Sequence, residues 1–363
     1  MSIWLKSSAL VMIGLMLVLI AAGCTKTASG PDATQQGQLD TSKALDTSNS
    51  SPIVNTQSLV VYSGRSEELV KPVIDLFSNA TGIKVQVRYA GTSELAATIL
   101  EEGDNSPADV FFAQDPGGLG AIESLLADLP DNILNLVEQR FRSSDGKWVG
   151  ISGRARVIAY NTRTVKESDL PDDIYDLIDK KWKGRIGWAP ANASFQAMVT
   201  AMRKLWGEEK TRQWLEGMQA NSPKIFANNT AQLEALGTGE IDIALPNHYY
   251  LYSFLQEKGE SFPVRNYHPR AGGPGAVILV AGAGILDTSI NKEAAQKFVE
   301  FLLSPVAQQY FAGQTFEYPV IEGIKTHSLL TPLSDIKSPD ISMGDMADLE
   351  GTLNLLREIG IVP

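Results

Sequence analysis

Two adjacent phenols, Tyr249 and Tyr250, follow the apolar run Ile241-Asp242-Ile243-Ala244-Leu245 and the connector Pro246-Asn247-His248. Phenolate oxygen is anionic, compact and hard. A tyrosine pair at the mouth of an α/β cleft therefore suits a hard trivalent cation, with ferric iron the leading candidate. Adjacent residues of a strand point to opposite faces, whereas in the first turn of a helix they lie about 100° apart and can converge on one point. Asn247 is a good N-cap, which predicts a helix over 249–258 with both phenols in its first turn. The same two residues would serve equally as aromatics packing a hinge; Tyr252 and Phe254 fit the apolar helix face better. A free tyrosine titrates near pKa ~10, but a trivalent ion drives its proton off, as zinc acidifies its bound water. Two phenolates leave one positive charge and about four open positions on an octahedral ion. A small anion, carbonate or phosphate, would fill both gaps.

Residues suited to such an anion lie in turns. Arg65 and Ser66, in Tyr62-Ser63-Gly64-Arg65-Ser66-Glu67-Glu68, offer a guanidinium fork beside a helix N-terminus, with Ser66 equally a plain cap. Gln114 ends the run Asp109-Val110-Phe111-Phe112-Ala113 and is either a cleft hydrogen-bonder or a turn residue, while Asp115 before Pro116 reads as turn chemistry. Asn192 or Ser194 caps a helix whether or not an anion also binds there, and Asn228-Asn229-Thr230 carries the same ambiguity. His248 is a possible further ligand. His268 and His327 lack partners at metal spacing and read as surface residues.

Short apolar runs alternate with longer amphipathic ones, the pattern of α/β layers. Strands are expected at 59–62, 84–89, 109–113, 157–160, 186–189, 241–245 and 276–280. Helices are expected at 67–79, 93–102, 195–205, 208–220, 231–236, 249–258 and 292–303, the first kinked or delayed by Pro72. The segment 154–161 leaves the first α/β set and 272–280 returns to it, which predicts two lobes that close on a ligand. Lobe 1 is expected to span 58–155 plus about 276–325, and lobe 2 to span 156–275 plus about 326–363.

Lys6, an apolar run from Ala9 to Ala22, Gly23 and the single cysteine, Cys24, have the order of a secretory signal. Ala21-Ala22-Gly23-Cys24 resembles a bacterial lipobox with Ala where Leu is commoner. This predicts a leader over 1–23, a lipid on Cys24 and a body outside the cytoplasmic membrane, an uncleaved membrane anchor being the alternative. From 25 to about 57 the chain is Ser, Thr, Asp, Gln and Gly, too polar to offset its ordering entropy, and reads as a tether. A body without a thiol has no disulfide, cysteine metal site or cysteine nucleophile. The formal charge of −11 disfavours nucleic acid, and an apolar share of 44% supports a sizeable core.

The chain resembles the ferric-ion-binding proteins of bacterial iron ABC importers. The resemblance runs from about Leu59 to the C-terminus. It is carried by Val61-Tyr62-Ser63-Gly64-Arg65, Thr81-Gly82-Ile83-Lys84-Val85, Ser106-Pro107-Ala108-Asp109-Val110-Phe111, Gly153-Arg154-Ala155-Arg156-Val157, Trp182-Lys183-Gly184-Arg185-Ile186-Gly187, Asn247-His248-Tyr249-Tyr250 and Glu317-Tyr318-Pro319-Val320. It implies a two-lobed type II periplasmic-binding-protein fold, iron ligation by Tyr249 and Tyr250, delivery to an ABC permease and its ATPase, and a monomer. Some members have a histidine where this chain has Ser66 and a carboxylate where it has Gln114, and others a third tyrosine in the 192–194 loop. With those ligands missing, the resemblance implies an iron site that leans on exogenous anion or water. Arg65, Ser66, Gln114, Asn192, Ser194, Asn229 and Asn247 are then the candidate anion or outer contacts.

Two rivals remain on sequence grounds. A related receptor for an organic anion, such as a phosphonate or sulfonate, would use Arg65 as its main charge partner. A secreted hydrolase is disfavoured, since Gly-x-Ser-x-Gly and His-Glu-x-x-His are both absent.

Overall fold

The structure is a computed structural model that describes residues 58–363; the leader, Cys24 and the tether lie outside the described residues. In chain order the strands are β1 (Ser58–Ser63), β2 (Lys84–Tyr89), β3 (Val110–Ala113), β4 (Trp148–Ala155), β5 (Ile158–Asn161), β6 (Ile186–Trp188), β7 (Lys224–Ile225), β8 (Ile243–Ala244), β9 (Val264–Tyr267), β10 (Ile278–Ile285) and β11 (Tyr318–Pro319). They form two mixed sheets, ordered β11-β4-β10-β3-β1-β2 and β7-β6-β8-β5-β9. Only two residues separate β4 in the first sheet from β5 in the second. The chain returns between β9 and β10, so both crossings expected from sequence are present and the fold is the two-lobed α/β architecture.

The helices are α1 (Glu67–Thr81), α2 (Thr92–Glu102), α3 (Pro116–Ala121), α4 (Asp131–Leu134), α5 (Ala193–Trp206), α6 (Glu208–Ala220), α7 (Asn229–Thr238), α8 (Tyr250–Lys258), α9 (Lys292–Leu302), α10 (Pro305–Gln314) and α11 (Leu349–Glu358). Val70, Val73, Ile74 and Phe77 give α1 a buried stripe at helical spacing, and Gly82 ends it at φ 74°, the left-handed cap that glycine adopts without strain. Pro72 does not delay this helix. It sits on the solvent face, where the bond forfeited by its missing N–H can be replaced by water.

Each sheet organises its own core. Val61 of β1 pairs in register with Val87 and Val110 and is wholly buried. In β5, Ile158 and Tyr160 face one cluster and Ala159 the other, the two-residue alternation of a strand. Helix α5 is shared, sending Ala197 and Ala201 into the first core and Met198, Val199 and Met202 into the second. A fourth cluster at the crossings joins Ala155, Tyr249, Tyr252, Ala276, Phe316 and Tyr318.

Strand β4 lies wholly outside the strands expected from sequence, because Gly150 and Gly153 interrupt its apolar pattern. A Cβ at Gly150 would lie 2.8 Å from the Phe141 carbonyl oxygen, so the glycine permits a close backbone approach. The run 241–245 keeps only Ile243–Ala244 as strand.

Candidate functional site

Tyr249 and Tyr250 lie side by side, their ring centroids 4.4 Å apart and their planes inclined by 28°. Tyr249 is at the helix boundary with helical φ and ψ (−71°, −25°), and Tyr250 is the first residue of α8. Helical rotation thus puts consecutive rings on one side, where strand geometry would have opposed them. The expected cap is a correction: Asn247 does not cap α8. Its Oδ1 accepts from Arg156 Nη1 at 2.9 Å and its Nδ2 donates to Ser194 Oγ at 3.0 Å.

The two phenols differ in setting. Tyr250 is half-buried and lines the cleft, whereas Tyr249 is 1% exposed and its hydroxyl has no hydrogen-bond partner. Burial, reinforced by the Tyr250 phenol, pushes the Tyr249 hydroxyl well above its ordinary pKa, while Arg65 and Arg154 pull it down. A buried polar hydrogen left unpaired costs about 1–3 kcal/mol. Tyr249 is thus held ready for a partner.

Charged groups surround that hydroxyl. Arg65 donates from Nη1 and Nη2 to the two Glu317 carboxylate oxygens at 2.8 and 2.7 Å. Glu317 also accepts from Ser152 Oγ at 2.9 Å and Thr315 Oγ1 at 2.8 Å. Burial disfavours its charge, but Arg65 and these donors prevail and hold its pKa below the usual value. Arg154 pairs with Asp115, and Arg156 donates to Asn247 and to the Leu245 carbonyl with no carboxylate bonded to it. Burial lowers Arg156 to about 10. Three buried guanidiniums therefore face two buried carboxylates, leaving one positive charge in excess beside Tyr249.

A cleft of about 780 Å³ opens in front of the pair, lined from the first lobe by Arg65, Ser66, Glu68 and Gln114 and from the second by Asn192, Glu234, Tyr250 and Glu257. Of the residues singled out from sequence, Arg65, Ser66, Gln114, Asn192 and Tyr250 line it, and Tyr249, Ser194, Asn229 and Asn247 lie behind it. The Arg65 fork is filled by Glu317, leaving Nε without a partner. Ser66 stands at the α1 N-terminus, exposed, its side chain making no cap bond. Asn192 caps α5 by accepting from Ser194 N at 3.1 Å. Ser194 Oγ accepts from Gln114 Nε2 at 2.8 Å and from Asn247, and donates to Asp115 at 3.2 Å, so its hydrogen-bonding capacity is spent. Asn228, not Asn229, caps α7; Asn229 Oδ1 accepts from Gln232 at 3.3 Å and its Nδ2 is unpartnered.

From sequence, Asp115 reads as a turn residue, and Glu317, Arg154 and Arg156 carry no role in the site. The Arg-Ala-Arg spacing at the end of β4 was a usable signal, since residues two apart share a strand face. Glu317 had no local signal, its partner being 252 positions away. His248 is buried with both ring nitrogens engaged, which leaves none for a metal. His268 and His327 are half-buried rather than surface residues, and burial lowers His268 to about 4. Among the described residues no group of three or more His, Cys, Asp or Glu could hold a metal ion, and no helix is long and apolar enough to cross a membrane.

Residues 93–338 match the family model for bacterial extracellular solute-binding proteins. The chain is 37% identical over 312 residues to the major ferric iron-binding protein of Neisseria meningitidis, covering 84% of this chain and 93% of that one. Iron-bound HitA from Pseudomonas aeruginosa superposes with a TM-score of 0.81 at 36% identity, covering 84% of this chain and 99% of the other. A Trichodesmium protein in complex with iron and citrate has a TM-score of 0.72 at 31% identity, with coverages of 84% and 99%.

Proposed function

Because this chain belongs to the ferric-ion-binding branch of the bacterial extracellular solute-binding proteins, we propose that it captures ferric iron in the interlobe cleft, with Tyr249 and Tyr250 as ligands. The chain is a solute-binding transport protein and not an enzyme. In this reading it delivers iron to an ABC permease and its ATPase. It works outside the cytoplasmic membrane, held there by a lipid on Cys24, with lobe limits at about residues 155, 275 and 325.

The observation that carries this reading is the buried, partnerless Tyr249 hydroxyl stacked against the cleft-lining Tyr250. Iron supplies what that oxygen lacks, by displacing its proton and coordinating the phenolate. Two phenolates reduce a trivalent ion to one residual charge. Counted with the buried groups alone, the surplus guanidinium raises the total to two, which a dianion such as carbonate or hydrogen phosphate would neutralise. Arg65 Nε, Ser66 and Gln114 are the contacts we assign to that anion. The organic-anion alternative is disfavoured because Glu317 already occupies the Arg65 fork.

Metal analysis with a visible spectrum tests the proposal. Wild-type protein given ferric salt and bicarbonate should show the Fe(III)–phenolate band, and Tyr249→Phe and Tyr250→Phe should each lose iron. A colourless wild type, or unchanged metal content in both variants, would sink it.

A further inference from the structure

His248 is fully buried and its backbone and side chain are held at four points. Its N–H donates to the Ala155 carbonyl at 3.0 Å, and its own carbonyl accepts from Asn266 Nδ2 at 2.8 Å. Nδ1 accepts from Ala155 N at 3.1 Å, and Nε2 lies 2.8 Å from Phe316 O. These partners dictate the tautomer: Nδ1 faces an N–H and must carry the lone pair, whereas Nε2 faces a carbonyl and must carry the hydrogen. The ring stacks on Tyr318 with centroids 4.8 Å apart and meets the Tyr249 ring edge-on at 5.7 Å.

The far ends of these contacts matter. Ala155 ends β4, and Phe316 lies two residues before β11, so both belong to the margin of the first sheet. Phe316 has φ +56°, a left-handed conformation that a bulky side chain adopts only when its surroundings enforce it. The next residue, Glu317, holds Arg65. His248 therefore meets the Tyr249 ring edge-on and is tied through Phe316 to the residue before Glu317, the partner of Arg65.

We propose that His248 is the positioning residue of the phenol pair. It is not a ligand; it fastens the start of α8 to two strand ends of the first sheet and so sets where the Tyr249 oxygen stands relative to Arg65. The phenols then stay near the pivot when the lobes move, and the cleft walls close onto them. This inference rests on the reading of Tyr249 and Tyr250 as iron ligands.

The test separates the two edges of the ring. His248→Asn keeps an acceptor for Ala155 N, His248→Gln keeps a donor that reaches Phe316 O, and His248→Phe keeps neither. Reconstitution uses ferric nitrilotriacetate with bicarbonate, followed by the visible spectrum and the rate of iron loss to a competing chelator. His248→Phe should shift the band and speed iron loss about 10- to 100-fold, the range for residues that orient metal ligands, with partial rescue by Gln or Asn. If His248→Phe fails to fold, the Gln and Asn variants carry the same comparison. A lower melting temperature with a wild-type band and loss rate would overturn the proposal. A colourless wild type would instead defeat the iron reading. Carbon-13 tyrosine spectra of the iron-free protein would still decide the positioning role, supported if the Tyr249 ring signals move in the Gln and Asn variants and overturned if they do not.

Discussion

Arg65 and Glu317 close a two-point ion pair at 2.8 and 2.7 Å, both side chains wholly buried, and Arg65 borders the same cleft as Tyr250. The pair keeps the first strand's turn and the margin of β11 together, and it places a compensated charge where an uncompensated one would dominate the site. Glu317→Gln leaves the guanidinium buried without a counter-charge. We expect a loss of about 3–5 kcal/mol, the usual cost of breaking a buried pair from one side, measured by denaturant unfolding of the iron-free protein. A loss below about 1 kcal/mol would show that water reaches Arg65.

Tyr249→Phe and Tyr250→Phe should separate stability from binding. Removing the unpartnered Tyr249 hydroxyl relieves a buried unsatisfied group, so Tyr249→Phe should raise iron-free stability by about 1–2 kcal/mol. Tyr250→Phe should change it by less than about 0.5 kcal/mol. Both should weaken iron binding by more than about 100-fold, beyond what residues that merely orient ligands cost. Equal melting temperatures for the two variants would contradict the asymmetry.

Iron uptake should expel protons. A phenol is protonated at neutral pH, burial holds the Tyr249 proton more firmly still, and ligation requires both phenols as phenolates. The phenols should release two protons per ferric ion and bicarbonate a third if it binds as carbonate, apart from those released by the metal's own hydrolysis, so affinity should fall steeply on acidification. A pH-stat titration of wild type against Tyr249→Phe measures the difference directly.

Acid should also weaken the fold. His248 and His268 have pKa values lowered to about 3 and about 4, in each case chiefly by burial. An unfolded chain takes up these protons near pH ~6.5, before the folded one does, so stability falls as pH drops from there towards the folded values. For His248 alone the loss is on the order of 4 kcal/mol by pH 3. Glu317, lowered in the folded state, adds a loss at more acid pH as it protonates. A flat melting temperature between pH 7 and 4 would contradict this account.

Ser66 and Ser194 should behave oppositely. Ser66→Ala removes an exposed hydroxyl with no cap bond, so stability should stay within about 0.5 kcal/mol while the dependence of iron binding on bicarbonate weakens. Ser194→Ala removes the oxygen shared by Gln114, Asn247 and Asp115. It should cost about 1–3 kcal/mol and change iron affinity less than tenfold, read from parallel unfolding and chelator-competition curves.

Local signals in the sequence were enough for several features. Alternating apolar runs announced two α/β lobes, α1 kept its stripe despite Pro72, and the adjacency of Tyr249 and Tyr250 announced that their rings lie on one side, because helical rotation is a property of neighbours in the chain. Gly150 and Gly153 hid β4, whose close packing is legible only once β10 lies beside it.

Residue types and short-range spacing determined the phenol pair and the layers that carry it. Only the tertiary structure decided that Glu317 would take the Arg65 fork, that Asn247 and Ser194 would spend their hydrogen bonds on each other, and that His248 would hold rather than ligate. Burial and pairing depend on groups brought together from distant parts of the chain, and no local pattern of residues encodes which of them meet.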